Sequence, residues 1–211
     1  MENNVLSSLL EILVTTLIFF FPAFLANMAP VVLWRTKLWK KARKPVDLGK
    51  TLMGERVFGE NKTFFGLIAA TIGGAFGAMV VLVFLTVYGN FIQFIYQVAT
   101  FWDFIIMLLC FGLIGAWMGF GAIMGDLLKS FIKRRIKIKP GQPLIFWDQV
   151  DFVIGAWVAY WLLYLTGILS NLKEVFDFSV WLLIAGMLIT PLLHLTANIV
   201  AYKLKWKDVW W

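Results

Sequence analysis

The stretch "GDLLKSFIKRRIKIKPGQPLIFWDQVDF", residues 125–152, decides how this chain is read. It sets nine charges between two long apolar runs. Three of the charges are carboxylates: Asp126 ahead of the basic cluster, Asp148 and Asp151 behind it. The runs on either side, "IIMLLCFGLIGAWMGFGAIMG" and "VIGAWVAYWLLYLTGIL", are continuous rather than alternating. That excludes the period-two strands of a membrane barrel. Each run approaches or exceeds the ~20 residues that cross a bilayer as helix. The segment therefore reads as a charged turn between two membrane spans.

Composition extends this reading to the whole chain. Of 211 residues, 61% are hydrophobic and 15% are charged. A soluble domain carries closer to a quarter charged residues, so one soluble core could not hide this much apolar surface. The expected fold class is all-α, a polytopic integral membrane protein with five transmembrane helices in one membrane-embedded domain over 1–211. The expected spans are about 7–34, 64–88, 102–129, 148–170 and 179–203. Two basic loops, about 35–63 and 130–147, join them on one face. The N-terminal "MENNVLSSLLEILVTT" lacks a basic leader, so the first span is expected to be retained. One cysteine, Cys110, excludes an internal disulfide and a cysteine-built metal site, and is expected to be a buried, inert thiol.

Charge sets the orientation. Eighteen of the nineteen Lys and Arg residues fall in the two basic loops, their flanks and the C-terminal tail; only Lys173 lies on the other face. Cytoplasmic loops are enriched in Lys and Arg. The N-terminus is thus expected outside and the C-terminus in the cytoplasm. Trp34, Trp147, Trp206, Trp210 and Trp211 fall near span ends, where aromatic belts form.

On a continuous helix, Asp126, Lys129, Ser130, Lys133 and Lys137 lie on one stripe. The stripe begins at membrane depth, where an ionisable side chain is expensive and normally faces a cavity or a partner. Asp148 and Asp151 share a face in the first turns of the next helix, where the helix dipole tolerates anions. Ordinary readings exist for each: Asp126 pairing along its own helix, Asp148 as an N-cap, the basic run as a headgroup anchor. Together they say more. Converging carboxylates repel unless a cation joins them, and Mg²⁺ takes carboxylates plus substrate phosphates. Nearby Lys and Arg would neutralise the remaining phosphate oxygens. The combination fits phosphoryl or nucleotidyl transfer, in which positioning and charge stabilisation carry catalysis.

The first loop contains "DLGKTLMGERVFGENKTFFG". Gly54 and Gly59 have the spacing of a phosphate loop, but Lys62-Thr63 does not directly follow Gly59, so that motif fails. A glycine-punctuated basic loop remains, suited to wrapping a polar ligand with backbone N–H groups. Asn27 and Pro30 are expected to interrupt the first span. Thr190, His194 and Asn198 make a polar stripe on the fifth; Asn27, His194 and Asn198 are candidate cavity-lining residues, the ordinary alternatives being a buried, hydrogen-bonded core histidine for His194 and interhelical polar contacts for Asn27 and Asn198.

These residues resemble a known family. "GDLLKSFIKRRIKIKPGQP…DQVDFVIGA", with "FPAFLANMAPVVL", the first-loop stretch and "TPLLHLTANIVAYKLKWKDVWW", is similar in order to the archaeal relatives of the CDP-diacylglycerol synthases. The wider family signature runs S-x-x-K-R, P-G-H-G-G, D-R-x-D. Ser130, Lys133 and Arg134 match the first part, and Asp148 and Asp151 the last, with Gln149 in place of Arg. Pro140 and Gly141 keep part of the middle, and the His-Gly-Gly is absent. The resemblance implies Mg²⁺-dependent transfer of CMP from CTP to the phosphate of 2,3-di-O-geranylgeranylglyceryl phosphate, giving CDP-archaeol and pyrophosphate. It implies Asp126, Lys133 and Asp148 as catalytic residues and Asp126, Asp148 and Asp151 as Mg²⁺ ligands. Lys129, Ser130, Lys133 and Arg134 would hold triphosphate or lipid phosphate, and Lys62, Thr63 and neighbouring backbone would close over the nucleotide. The expected partners are CTP, the prenylated lipid phosphate and membrane lipids, with no nucleic acid. A carrier for an anionic lipid or phosphate metabolite could use the same basic cavity. Carriers often show inverted repeats and broken midplane helices, and the sequence has neither.

Overall fold

The computed structural model describes residues 2–33, 44–88, 100–139, 141–144, 146–169 and 180–205. The basic run at 34–43, the connections at 89–99 and 170–179, and the tail at 206–211 lie outside them. Five helices account for most of the described chain: α1 Glu2–Leu33, α2 Phe64–Tyr88, α3 Phe101–Arg135, α4 Trp147–Leu165 and α5 Val180–Lys203. Four of them, all except α4, are long and apolar enough to cross a membrane. The α4 helix has 19 residues, with Asp148 and Asp151 in its first turns. The protein is an all-α membrane protein with one small β addition.

That addition is a hairpin in the first loop, β1 Thr51–Leu52 paired with β2 Glu55–Arg56. Its turn residues Met53 and Gly54 both have positive φ, 53° and 80°. Two-residue hairpin turns need this, and glycine meets it without strain.

Helix α3 is the spine, packing against α1, α2 and α4. Its contacts are made through glycines. A Cβ on Gly119 would meet the Ala70 carbonyl at 2.5 Å, and one on Gly121 the Gly155 carbonyl at 2.5 Å. One on Gly125 would run into the backbone of Asp151. Small residues let membrane helices approach backbone to backbone. Here that approach sets Asp126, the next residue, beside the start of α4. Around these contacts Phe19, Phe20, Met118, Phe152, Val153 and Tyr160 form a buried core joining α1, α3 and α4. Phe19 and Tyr160 meet edge to face, ring centroids 4.9 Å apart.

Three expectations change. The α1 helix runs unbroken through Pro22 and Pro30, so Asn27 and Pro30 do not interrupt it. Proline is tolerated in a helix whose neighbours pack it closely, and Gly73 and Gly77 of α2 bring that helix against Leu25 and Pro22. Helix α3 continues to Arg135, through residues expected to open the loop, and then ends. Lys137 has φ 60° and leaves the stripe. Lys133, Arg134 and Arg135 in the last turn suit its dipole. Cys110 is exposed on the outside of the bundle rather than buried.

Candidate active site

The charged residues of α3, the start of α4 and the end of the first loop meet at one end of the bundle. Lys129 is the centre. Its ammonium lies 3.1 Å from Asp126 Oδ1, 3.2 Å from Asp148 Oδ1 and 2.8 Å from Asp151 Oδ2. Lys62, just before α2, reaches Asp126 Oδ2 at 2.5 Å. Lys133, one turn beyond Lys129, reaches Asp148 Oδ2 at 3.1 Å and donates to the Gln142 carbonyl at 2.6 Å. Three acids and three lysines thus form one chain from the first loop, across α3, to α4.

The three carboxylates meet through the Lys129 ammonium. Among the described residues no three His, Cys, Asp or Glu side chains form a metal cage by themselves. The Lys129 contact with Asp151 is close but lacks hydrogen-bond direction, and Asp151 Oδ2 has no hydrogen-bond partner. Asp151 is nonetheless 7% exposed. A buried carboxylate oxygen held only by charge is open to a better cation.

Asp148 does not cap its helix. The N-cap is Phe146, which offers no side-chain hydrogen bond. Asp148 instead accepts the Leu144 N–H at 2.6 Å, tying the connecting loop to Lys133. Ser130 and Arg134 are buried beside these groups. The Arg134 Nε has no hydrogen-bond partner, and no ion pair neutralises this guanidinium among the described residues. Thr63 is buried, and its hydroxyl accepts the Gly66 N–H at 3.1 Å, capping α2.

Two hollows flank the chain of charges. One, of about 470 Å³, is lined by Asn27, Asn61, Lys62, Thr63 and Asp126. The other, of about 760 Å³, is almost wholly apolar and runs between α3 and α4, with Lys129 and Asp151 at its polar end. Of the three candidate cavity residues, Asn27 lines the first hollow. His194 and Asn198 pair with each other along α5, 3.2 Å between ring and amide nitrogens, and line neither hollow.

The sequence reading passed over Asp47 and Arg56. The Asp47 carboxylate is fully buried and pairs with the Arg56 guanidinium. It also accepts the N–H groups of Gly49, Phe58 and Gly59 at 3.0, 3.2 and 3.0 Å. The loop's amides thus wrap an internal carboxylate. Burial alone would raise the Asp47 pKa; Arg56 and the three amides outweigh it and hold the carboxyl well below its usual range. Arg135 then donates to the carbonyls of Leu52 and Arg56 at 2.6 and 2.7 Å, docking the hairpin on the end of α3. The available signal was an Asp followed by three glycines in a basic loop.

The helices and the lysine–aspartate chain define an integral membrane protein with a charged site at one end of its bundle. Comparison with known proteins makes this particular. A family model described as "CarS-like: CDP-archaeol synthase" matches residues 9–211. The chain is 35% identical over 191 residues to the CDP-archaeol synthase of Thermofilum pendens, covering 90% of this chain and 77% of that protein. It is 32% identical to that of Methanococcus aeolicus, covering 97% and 99%. A solved structure of an intramembrane enzyme of archaeal membrane lipid biosynthesis superposes with a TM-score of 0.59 at 26% identity, over 87% of this chain and 92% of that one. The chain belongs to the CarS-like family of CDP-archaeol synthases.

Proposed function

We propose that this protein is the membrane cytidylyltransferase that makes CDP-archaeol from CTP and a prenylated glycerol phosphate. The observation that carries this reading is the convergence of Asp126, Asp148 and Asp151 on one ammonium, between Lys62 and Lys133. Family membership supplies the reaction class; this geometry supplies a way to run it.

The reaction joins a phosphate oxygen of the lipid to the α-phosphorus of CTP and breaks the bond to the β-phosphate oxygen. Pyrophosphate leaves with that electron pair. A phosphate dianion is already a nucleophile, so no general base is required. The work of the protein is to hold two highly charged groups together and to stabilise charge moving to the leaving group. Lys62, Lys133 and the buried Arg134 would carry that charge. Ser130 and Thr63 add hydroxyl contacts.

With Lys129 in place the three carboxylates form no cage of their own, but each brings an oxygen to one point that already holds positive charge, and carboxylate oxygen is the donor type a hard cation takes. Asp126, Asp148 and Asp151 would hold Mg²⁺, which would supply positive charge to offset the negative charge of the phosphates. Lys129 would then give up the carboxylates and turn to phosphate. We further propose that α4 is a fifth span. At 19 residues it is about 28 Å long, near the ~30 Å of hydrocarbon it must cross. With five spans and the charge split described above, the N-terminus is outside and the site faces the cytoplasm, where CTP is found.

The test is pyrophosphate release by purified protein in detergent, given CTP, Mg²⁺ and 2,3-di-O-geranylgeranylglyceryl phosphate. Release that requires all three is expected. No release with any of several prenylated glycerol phosphates overturns the reading.

A further inference from the structure

The charged chain fixes where phosphates meet but not where the lipid's hydrocarbon lies. We propose that one lipid chain enters the apolar groove between α3 and α4, and that the lipid phosphate reaches the carboxylate–lysine chain from the side opposite the nucleotide. This rests on the cytidylyltransferase reading and locates one of its two substrates.

The groove and the polar hollow are separated by the charges themselves. Asp126 lines the polar hollow; Lys129 and Asp151 line the groove. The Asp126–Lys129 pair, 3.1 Å, is the partition. A ligand in either hollow therefore touches the same chain of charges. Elsewhere the groove is apolar, walled by Trp117, Phe120, Leu128 and Trp147. Its floor is where Gly121, Gly125 and Gly155 bring the two helices into backbone contact. Trp117 lines the groove far from the charges and donates its indole N–H to the Ala159 carbonyl at 2.7 Å.

Length and charge select the occupant. From Trp117 to Lys129 the floor runs about 18 Å along α3, close to one leaflet of a ~30 Å hydrocarbon core. A molecule seated there is apolar along one leaflet's depth and anionic where Lys129 waits. That describes a phosphorylated membrane lipid, and not a nucleotide, which would bury its polar base and ribose against tryptophan and leucine. The volume, about 760 Å³, is that of a small-ligand site. It takes one chain and the glycerol, leaving the second chain among the bilayer lipids.

The placement also suits the chemistry. Phosphoryl transfer wants the attacking and leaving oxygens roughly in line through phosphorus. Entry of the lipid phosphate beside Lys129 and Asp151, with the pyrophosphate end of CTP toward Lys62, puts the two on opposite sides of the partition. Neither substrate then has to pass the other.

Single cysteines at Leu128 and Val158 in the groove, and at Ile72 on the outer face of α2, are made in a Cys110→Ala background. Removing Cys110 is necessary because it is exposed. The readout is the rate of maleimide labelling in detergent, with 2,3-di-O-geranylgeranylglyceryl phosphate or with the same diether lacking phosphate. The phosphorylated lipid is expected to slow labelling at 128 and 158 on the order of tenfold and to leave 72 unchanged. The uncharged diether is expected to protect far less. A companion variant, Val158→Trp, fills the groove without touching a charge. It is expected to raise KM for the lipid on the order of tenfold with KM for CTP unchanged. Equal protection at all three positions, or none in the groove while pyrophosphate release persists, overturns the groove and leaves the cytidylyltransferase reading intact. Absence of pyrophosphate release in the unmodified protein instead removes that reading, and the groove's assignment with it.

Discussion

Two sets of carboxylates sit at the same end of this bundle and are held in opposite ways. Asp47, in the hairpin loop, has its oxygens covered by Arg56 and three backbone N–H groups. Asp126, Asp148 and Asp151 share lysine tips, and Asp151 Oδ2 lacks a hydrogen bond. Backbone amides cannot leave; a lysine tip, on its flexible four-carbon stem, can. The first arrangement is fixed and serves the fold. The second is exchangeable, and a ligand with better charge can replace one cation by another.

The largest expected effect breaks the exchangeable set. Asp126→Asn, Asp148→Asn and Asp151→Asn keep shape and remove one charge each. Turnover is expected to fall on the order of 10²–10³-fold, the scale for losing a group that organises transition-state charge. Melting temperature is expected to change little, and the Mg²⁺ concentration for half-maximal rate to rise. Turnover against Mg²⁺ concentration, with thermal melts of each apo variant, measures both. Near-native turnover with an unchanged Mg²⁺ curve in all three would sink the assignment of these acids.

Asp47→Ala should do the reverse: lose structure first. It strands Arg56 and three amides. The loss is moderated because Arg56 is 26% exposed and can rehydrate. The loss is local, so limited proteolysis between residues 44 and 63 should accelerate before the helices melt. Activity should fall as well, because the loop delivers Lys62 to Asp126 through the Val46 N–H to Lys62 carbonyl bond of 2.7 Å. Unchanged cleavage would mean the hairpin is held by Arg135 alone.

These two regions were unequally legible in the sequence. The Lys129–Asp126 pairing follows from helical spacing, and the approach of Asp148 and Asp151 from a short loop between helices. Both are consequences of periodicity and chain length, which one sequence carries. The Asp47 hub follows from neither. Its partners are backbone amides brought round by positive φ at Gly49, Gly54 and Gly59, and no spacing rule reports where an amide points. The same limit explains Phe146 and Lys137. Whether a helix ends at Arg135 or runs on to Lys137 depends on one residue's turn, here a left-handed φ of 60°. The unbroken helix at Pro30 was missed because a proline in sequence reads as a break, while close packing of α1 on Gly73 and Gly77 of α2 supports the helix around it. Lys129 at the centre was missed for a different reason: the sequence named the acids and predicted a cation among them, and the nearest cation was the chain's own.

Lys133→Ala tests the boundary between the two kinds of site. Lys133 is mostly buried and holds both Asp148 and the Gln142 carbonyl, so it serves the loop as well as the charge chain. Losing a charge-assisted contact costs about 1.5–3 kcal/mol. Turnover is expected to drop roughly ten- to a hundredfold, with a modest fall in melting temperature. Full activity would remove Lys133 from the phosphate-binding set and leave it as a clamp on the connecting loop.

The smallest effect concerns pH, and it isolates the fixed carboxylate. Burial pushes Asp47 toward protonation; Arg56 and the Gly59, Gly49 and Phe58 amides push harder the other way, so the folded carboxyl titrates well below its unfolded value of about 3.9. A carboxyl lowered on folding stabilises the folded form fully above the unfolded pKa, and that contribution fades as pH falls toward the folded pKa. Asp47→Asn keeps the acceptor oxygen for the amides and cannot titrate. The gap in melting temperature between the unmodified protein and this variant should therefore be flat between about pH 5 and 8, and should narrow only below about pH 4. A gap that instead changes through neutral pH would mean that Asp47 titrates there in the folded protein. Its pairing with Arg56 would then be as exchangeable as the lysine contacts of Asp126 and Asp151, and the distinction between the two sites would be lost.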